Sequence, residues 1–403
     1  MSIQLNESQL RAVEMASTRR FAIVNGGAGT GKTTIVRAIT EAIGPDKVEL
    51  CTFAGKAAAR LREATGHPAS TIHSMLRYMG EELGFTRKTL SGRTVILDEA
   101  SMVNSSLMAE ICKRRPDRFI LVGDEAQLPP VGSGQPFHDL VRLMPEAVCT
   151  LTTCYRNSEA IYRAAMAVRV GEQPSTREQT DNELWEFHGT GDERYTHDSI
   201  LKEVRAGAVD FDRDIILCCR NGEDASVPCS VEGMNKDIKD IVNPGPENDD
   251  RPESRRIDPG DRVICTKNNP DIDCWNGTTG KVIDLDTDGA MFVKLDYPAT
   301  GRDGAQTSEV LVSRKRVPDW QLAYALTIHK SQGSQYRKVL LVCNRRDTAM
   351  LLDRSMLYTA ITRAKAECHG YGSFRAMVMA IGNVAHKATV IQELVAQEGR
   401  AML

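Results

Sequence analysis

The chain has 403 residues, of which 41% are hydrophobic and 26% are charged, and its formal net charge is −3 at pH 7. This length predicts two to four domains with sizeable cores, and the hydrophobic content excludes a disordered chain. The small net charge excludes binding to nucleic acid through overall basicity, so a nucleic-acid site has to be a local groove.

The N-terminal third alternates short apolar, β-branched runs with helical patterns. The runs predict buried parallel strands, and the alternation is typical of a doubly wound α/β domain. The predicted strands are FAIVN (21–25), KVELCTF (47–53), TVILDE (94–99) and RFILVGD (118–124), with helices that include TTIVRAITEAI (33–43) and AAARLREAT (57–65).

A second set of apolar runs predicts a second α/β domain, which a long insertion interrupts. Its predicted strands are AVCTLTT (147–153), DIILCCR (214–220), KVLLVCN (338–344) and ECHGYG (367–372). The insertion opens with a proline-rich linker at 243–261. Short alternating runs then predict a small β-barrel, namely RVICTK (262–267), GKVIDLD (280–286), MFVKLD (291–296) and EVLVSR (309–314).

The cysteines and the N-terminus bear on the compartment. The eleven cysteines form no CxxC pair, so neither zinc nor a disulfide framework is indicated. Several, such as Cys218 and Cys219, lie in apolar runs as buried thiols do in a reducing compartment. With no signal core and no apolar run of membrane-spanning length, we expect a cytoplasmic protein, or one in the host cytoplasm if a phage encodes it.

The stretch GGAGTGKT (26–33) follows a predicted strand and opens a predicted helix, as a P-loop requires. Backbone N–H groups of such a loop cradle phosphates, Lys32 reaches the β- and γ-phosphates, and the Thr33 hydroxyl ligates Mg²⁺. A glycine-rich turn without nucleotide is the alternative, which the complete motif disfavours. The predicted ATP contacts are Gly26, Gly27, Ala28, Gly29, Thr30, Gly31, Lys32, Thr33 and Thr34.

The stretch VILDEA (95–100) ends an apolar run with two carboxylates. Asp98 is predicted to hold the Mg²⁺ shell together with Thr33, and Glu99 to polarise the attacking water. Carboxylates at a strand end also cap helices, and the motif alone leaves both interpretations open. Beside a P-loop it favours an ATP hydrolase that uses Mg²⁺.

With GDEAQLPPVGSG (123–134), these motifs resemble those of superfamily 1B helicases, above all the RecD-type and phage Dda-type enzymes and more distantly the Pif family. The resemblance runs from LNESQLRAV (5–13) to YTAITRAK (358–365) and covers nearly the whole chain. It implies two RecA-like doubly wound parallel-sheet domains, an SH3-like β-barrel insertion and a short hairpin insertion.

The resemblance also implies the division of the chain. RecA-like domain 1A would span 1–146 and carry the pin insertion, domain 1B, at 77–92. Domain 2A would comprise 147–250 and 317–403, and the SH3-like domain 2B would be 251–316.

Further nucleotide contacts follow from the resemblance. Gln9 would read the adenine edge, and Gln127 would sense the γ-phosphate. Within TTCYRN (152–157), Arg156 would contact the γ-phosphate, and Arg363 would be the arginine finger. The Gln332–Gly333 turn would approach the nucleotide. Gln335 stands where many relatives have glutamate, which leaves the selectivity for the sugar open.

The same resemblance implies a DNA track. Its predicted backbone contacts are Lys56, Thr71, His73, Thr327, His329 and Lys330. Phe53 replaces a proline of the family motif. It either stacks on a base, which is worth about 1–3 kcal/mol, or is a core residue at a strand end.

The polar stretch LRYMGEELGFTRKTLSG (76–92) falls where the family inserts a separation pin. Its residues allow a short hairpin with Phe85 close to the tip, where an aromatic ring would cover the terminal base pair. An inert connecting loop is the alternative.

The motifs predict an ATP hydrolase, and the resemblance implies a DNA helicase that moves 5′→3′ on single-stranded DNA and unwinds duplexes in replication, recombination or repair. Its expected partners are single-stranded DNA and DNA forks, and single-strand-binding and replication proteins are candidate partners. We expect no membrane association, and we expect a monomer. Two alternatives are a single-strand translocase and an ATP-gated DNA-binding subunit with little unwinding. RNA is an alternative substrate.

Overall fold

The computed structural model describes residues 5–80, 83–153, 159–222, 227–245, 257–300, 306–348 and 351–384. The chain divides into two compact units, the first holding the described residues up to 153 and the second those from 159 onward. Among the helices of these ranges, none has both the length and the apolar character needed to span a bilayer.

Unit 1 is built on a six-stranded parallel sheet with the strand order β3-β2-β4-β5-β1-β6. Its elements are α1 (Glu7–Thr18), β1 (Phe21–Gly26), α2 (Lys32–Ile43), β2 (Val48–Thr52), α3 (Gly55–Thr65), β3 (Ala69–Thr71), α4 (Ile72–Met75), β4 (Thr94–Asp98), α5 (Ser105–Cys112), β5 (Arg118–Gly123), α6 (Pro136–Leu143) and β6 (Val148–Leu151).

Both faces of this sheet are buried, which explains the continuous apolar runs. Successive side chains of a strand point to opposite faces. In β1, Ile23 packs into one hydrophobic cluster while Ala22 and Val24 pack into the other. The predicted α/β domain with a parallel sheet is therefore confirmed for unit 1.

One predicted strand lies in the other unit. The run at 147–153 was expected to open the second domain, yet β6 pairs with β1 and packs against α1. The predicted boundary at 146 is wrong for this reason. An apolar run predicts a strand, but the strand with which it pairs depends on contacts between residues that are distant in sequence.

Unit 2 contains a second six-stranded sheet with the order β15-β9-β16-β17-β8-β7, in which only the edge strand β7 is antiparallel. Its elements outside the insertion are α7 (Ala160–Val170), β7 (Arg177–Gln179), β8 (Leu184–Gly189), α8 (Glu193–Arg205), β9 (Ile215–Cys218), α9 (Val231–Val242), β15 (Ala325–Thr327), β16 (Tyr336–Cys343), α10 (Arg345–Thr348), α11 (Arg354–Ile361), β17 (Ala364–Gly372) and α12 (Phe374–Gly382).

The insertion forms a five-stranded antiparallel sheet with the order β13-β12-β11-β10-β14. Its strands are β10 (Arg262–Cys265), β11 (Thr279–Leu285), β12 (Met291–Thr300), β13 (Gln306–Val312) and β14 (Trp320–Leu322). The sheet continues past the predicted end at 316, because Trp320 belongs to its core. An SH3-like barrel stays a prediction.

A buried ionic network joins the insertion to α9. The Lys239 ammonium donates to Asp258 at 2.8 Å and to Asp261 at 2.6 Å. Asp261 is fully buried and also accepts from the Asn243 amide at 2.7 Å and the Tyr324 hydroxyl at 2.7 Å. A buried charge pair of this kind is costly to break, because the remaining charge has no water.

Lys239→Met should lower the free energy of unfolding by about 3 kcal/mol, since it leaves the buried carboxylate of Asp261 and the half-buried one of Asp258 without their cation. Urea unfolding of the purified chain measures the change. Lys281→Met is the matched control, because Lys281 pairs with Asp212 at 3.2 Å on the surface and such pairs are worth about 0–1 kcal/mol. Equal effects of the two substitutions would contradict the structural role of the network.

Candidate active site

The loop between β1 and α2 has the backbone that the P-loop motif predicts. Gly29 and Gly31 have φ angles of 76° and 83°, in the left-handed region that favours glycine. Gly31 is the N-cap of α2 and offers no side chain to the first N–H groups of the helix. At Gly26 a Cβ atom would lie 2.6 Å from the Thr30 hydroxyl, so the close packing of the loop needs glycine there.

Lys32 lies folded over this loop. Its ammonium donates to the carbonyls of Gly26 at 2.7 Å and Gly27 at 3.0 Å, and the Thr30 hydroxyl also donates to Gly27 at 2.9 Å. The lysine charge is thereby held beside the loop that would bind phosphate.

Gln9 is brought to the same loop although it lies on another helix. It is buried, and its side chain accepts from the Asn6 N–H at 3.1 Å in a reciprocal capping box. Its amide nitrogen donates to the Thr30 carbonyl at 3.2 Å. Gln9, which is predicted to contact the adenine edge, is therefore already held against the loop.

The two predicted catalytic carboxylates follow each other at the end of β4. Glu99 adopts the left-handed region with φ 52°, which is unusual for a residue other than glycine. Its N–H donates to the Asp98 carboxylate at 2.9 Å. Burial and the neighbouring Glu99 charge raise the pKa of Asp98 to about 7, against the opposing effect of Lys32 and Arg60. A bound cation would favour the charged form of this pair.

Several polar atoms near these strand ends are buried without a partner in the described part of the chain. They are Thr52 Oγ1, which ends β2, Glu99 Oε2, Ser101 Oγ and Gln127 Oε1. Each such atom costs about 1–3 kcal/mol when it has no partner. The oxygen donors of Thr33, Asp98 and Glu99 are also the kind that Mg²⁺ prefers. The residues present therefore fit a nucleotide with its magnesium ion.

Gln127 is positioned by residues that the motifs had not singled out. Its amide nitrogen lies 3.5 Å from the buried carboxylate of Asp124. Asn25 at the end of β1 and Glu125 exchange two hydrogen bonds, of 3.1 Å and 3.2 Å. Polar residues at the carboxyl ends of the neighbouring strands β1 and β5 were the available signal, since ligands bind at this edge of parallel sheets.

In unit 2, Arg363 lies at the end of α11 and is almost fully buried. Its guanidinium donates to the Thr359 carbonyl at 3.0 Å, the Thr362 hydroxyl at 3.1 Å and the Ser334 carbonyl at 3.3 Å. The last contact joins the predicted arginine finger to the turn at 332–333, where Gln332 Nε2 is buried with no partner among the described residues and Gly333 has φ 73°.

The predicted DNA contacts of unit 2 share one turn. Thr327 ends β15, and its hydroxyl accepts from the Lys330 N–H at 3.2 Å. His329 and Lys330 belong to the single 3₁₀ turn that follows. Partial burial lowers the pKa of Lys330. The structure brings these residues together, and their contact with DNA stays a prediction.

The predicted DNA contacts of unit 1 lie around α3 and α4. Phe53 is 37% exposed, so it is not a core residue. Lys56 lies in the first turn of α3. The Thr71 hydroxyl caps α4 by accepting from the Ser74 N–H at 3.1 Å. The His73 ring packs at 5.6 Å from Tyr78 and at 5.7 Å from Phe85, between ring centroids.

Phe85 directly follows Gly84, close to the turn as predicted, but its ring is packed against neighbours. It forms an isolated antiparallel bridge with Tyr78, and its half-buried ring packs on His73, Tyr78 and the Arg114 guanidinium. The apolar side chains exposed next to this bridge are Met79, at 61%, and Leu83, at 68%. Packing of an aromatic ring removes its apolar surface from water, which is favourable compared with exposure in a short polar loop.

Arg156, the other predicted γ-phosphate contact, lies outside the described residues. Its role stays a prediction.

Two family comparisons cover much of the chain. Residues 4–186 match the family described as an AAA domain, and residues 322–369 match the UvrD-like helicase C-terminal domain.

Individual relatives agree with these families. The chain is 33% identical over 387 residues to the ATP-dependent RecD2 DNA helicase of Deinococcus radiodurans. The aligned region covers 93% of this chain and 50% of that helicase. The chain is 28% identical over 436 residues to the RecBCD enzyme subunit RecD of Mycolicibacterium smegmatis, covering 96% of this chain and 74% of that subunit. The chain thus spans only half the length of the RecD2 relative.

The fold is shared with solved structures. The Pif1 helicase from Bacteroides in complex with ADP-AlF3 and single-stranded DNA has a TM-score of 0.59 at 18% identity, with 98% of each chain covered. A structure of Pif1 helicases at forked double-stranded DNA also has a TM-score of 0.59, at 19% identity. These likenesses show a helicase fold of two RecA-like domains.

Lys32→Ala should lower ATP hydrolysis by at least about 100-fold, because it removes the charge held over the phosphate loop. Steady-state turnover measures the loss, and fluorescence anisotropy should show that binding of single-stranded DNA persists. Lys47→Ala, at an exposed lysine outside the loop, is the control. Turnover at the parent rate in Lys32→Ala would contradict the assignment of the site.

Proposed function

We propose that this chain, which belongs to the superfamily 1B DNA helicases of the RecD-like and Pif-related kind, couples ATP hydrolysis to movement along single-stranded DNA and unwinds duplex DNA. The observation that carries the proposal is the set of buried polar atoms without partners at the strand ends beside Lys32. A nucleotide with Mg²⁺ would supply partners for these atoms, so the site is built for that ligand.

In the proposed reaction each residue of unit 1 has one task. Lys32 holds the phosphates, and Thr33 and Asp98 would hold Mg²⁺, which supplies charge neutralisation on the phosphate oxygens when bound. Glu99 accepts a proton from the attacking water at its unpartnered oxygen. Gln127, fixed by Asp124, senses the γ-phosphate.

Unit 2 would contribute Arg363 and, outside the described residues, Arg156. A guanidinium placed against the transferred phosphoryl group stabilises charge in the transition state. Arg363 donates to the carbonyl of Ser334, which lies shortly after the turn of His329 and Lys330 in the chain. We propose that this hydrogen bond couples the nucleotide to the grip on DNA.

The finer assignments are part of the same proposal. The strand would be tracked by Phe53, Lys56, Thr71 and His73 in unit 1, and movement would run 5′→3′ as in the RecD-type enzymes. The antiparallel sheet of the insertion would be the SH3-like domain 2B. Single-stranded DNA and forks would be the substrates, as the related Pif1 complexes suggest.

The loop after α4 would act as the separation pin, with Met79 and Leu83 in the place first given to Phe85. Its base is anchored, because the Arg114 guanidinium donates to the carbonyls of Arg87 at 2.7 Å and Phe85 at 3.1 Å. A firmly held loop with two exposed apolar side chains suits a separation pin, which would stand against the terminal base pair while one strand is pulled past.

Arg363→Lys should lower ATP turnover by about 1,000-fold, because a point charge cannot replace the planar guanidinium. Nucleotide affinity should change little, since the finger acts on transition-state charge. Turnover and equilibrium nucleotide binding are measured together, and thermal unfolding checks that the buried contacts of Arg363 are not needed for folding. Lys365→Ala, at an exposed neighbour, is the control. Lost affinity with normal turnover would contradict the role.

Unwinding of forked duplexes with a 5′ or a 3′ tail, under single-turnover conditions, tests the proposed function. The parent should unwind the 5′-tailed substrate. Met79→Ser with Leu83→Ser should slow unwinding about 5- to 30-fold, the factor for ~1–2 kcal/mol of lost apolar contact, and leave ATPase activity on single strands unchanged. Val170→Ser, which removes a side chain 61% exposed elsewhere, is the control.

The outcomes separate the alternatives. A parent that hydrolyses ATP on single strands but unwinds neither fork would be a translocase or an ATP-gated binding subunit. A loop variant that unwinds at the parent rate would place the pin elsewhere.

A further inference from the structure

A cluster of histidine and glutamate side chains lies on one face of the unit 2 sheet, and no nucleotide or DNA role has been given to it. β8 and β17 are parallel neighbours in which Glu186 lies opposite His369 and His188 lies opposite Tyr371. Glu186 and His188 are two positions apart, so both project from the same face of β8. The register thereby brings Glu186, His188 and His369 together.

The separations between the candidate ligand atoms suit a metal ion. His188 Nε2 lies 3.2 Å from His369 Nδ1, and Glu186 Oε2 lies 4.0 Å from His188 Nε2. One atom from each residue falls within 4.8 Å of the other two. Two nitrogens bound tetrahedrally to Zn²⁺ at ~2.05 Å are about 3.3 Å apart, so the histidine pair already has the spacing of a zinc site.

A neighbouring carboxylate orients one of the histidines. His369 Nε2 lies 3.4 Å from Glu367 Oε2, which leaves Nδ1 of the same ring directed at His188. Metal-binding histidines usually donate their second ring nitrogen to a carboxylate in this manner. The His188 ring is fixed as well, because it stacks on Tyr371 with ring centroids 4.6 Å apart.

The cations nearby are engaged with carboxylates. Lys338 donates to Glu203 at 2.7 Å, and it lies 3.9 Å from Glu367. The Arg177 guanidinium lies 3.9 Å from Glu186 at the exposed edge of the sheet. A bound divalent cation would therefore replace this loose contact and the contact between the two histidine rings.

A cavity of ≈ 480 Å³ opens beside the cluster, and both His188 and Tyr371 line it together with Thr190, Tyr195 and Lys202. Solvent in this cavity can reach His188, so a metal held by three protein ligands would have a water for its fourth position. Imidazole and carboxylate ligands in this number are those of zinc sites with one open position.

We propose that Glu186, His188 and His369 form a Zn²⁺ site, with Glu367 as the residue that positions His369. The ion would join β8 to β17 next to the edge strand β7 and stabilise that side of unit 2. The two histidines are 181 residues apart, which is why no spacing motif announced the site.

The test is zinc binding by the full chain without an affinity tag, after treatment with a chelator. Competition against a chromophoric zinc indicator should give one Zn²⁺ per chain, and Co²⁺ should give the visible absorption bands of a tetrahedral complex. The melting temperature should rise on addition of Zn²⁺, because a ligand of the folded state alone stabilises it.

Variants distinguish this site from adventitious binding. His369→Gln and His188→Gln should each abolish the stoichiometric binding and the rise in melting temperature. Glu367→Gln should weaken zinc affinity by about 10- to 100-fold, as loss of an orienting partner does. His67→Gln, at a half-buried histidine of unit 1, should bind zinc as the parent does.

Two results would overturn the proposal. The first is a folded parent that binds no zinc at micromolar concentration, which would leave His188 and His369 as a hydrogen-bonded pair. The second is zinc binding of equal affinity in the parent and in both histidine variants. If a variant is less stable without metal, the ratio of its zinc affinity to that of the parent, measured well below its melting temperature, still decides between these outcomes.

Discussion

Two adjacent carboxylates at the end of a buried strand are the constraint on which the site depends. Asp98 and Glu99 repel each other in a place that disfavours charge, and Glu99 keeps an oxygen with no partner in the described part of the chain. Such a pair is stable only if a cation or a hydrogen-bond donor arrives. Lys32, which donates to two carbonyls of the loop, and Arg60 both oppose the rise in the pKa of Asp98.

The rest of unit 1 serves to bring these groups to one edge. Parallel strands end at the same edge of a sheet, so β1, β4 and β5 deliver the phosphate loop, the carboxylates and the Asp124–Gln127 segment together. In unit 2 the guanidinium of Arg363 donates to the carbonyl of Ser334, which follows the 3₁₀ turn of His329 and Lys330 in the chain. Each unit thus holds its own predicted site residues in place.

Local patterns predicted the parts whose signal is local. The strand and helix around the phosphate loop, the carboxylates at the end of β4 and the antiparallel insertion all follow from periodicity and turn residues, and the relatives found include the RecD-type helicases that the motifs resemble. The misplaced β6, the packed ring of Phe85 against Arg114 and the Asn25–Glu125 pair depend on contacts between distant residues. β8 was not among the predicted strands, although the alternation of Trp185 and Phe187 with polar residues is the pattern of a half-buried strand.

ATP turnover measured with and without single-stranded DNA, across a range of salt concentrations, tests the central claim that hydrolysis is coupled to a DNA strand. The account predicts that turnover rises when single-stranded DNA is added at low salt. It also predicts that this stimulation declines as salt increases, because phosphate contacts release counterions. An ATPase whose rate at low salt is the same with and without DNA would contradict the coupling.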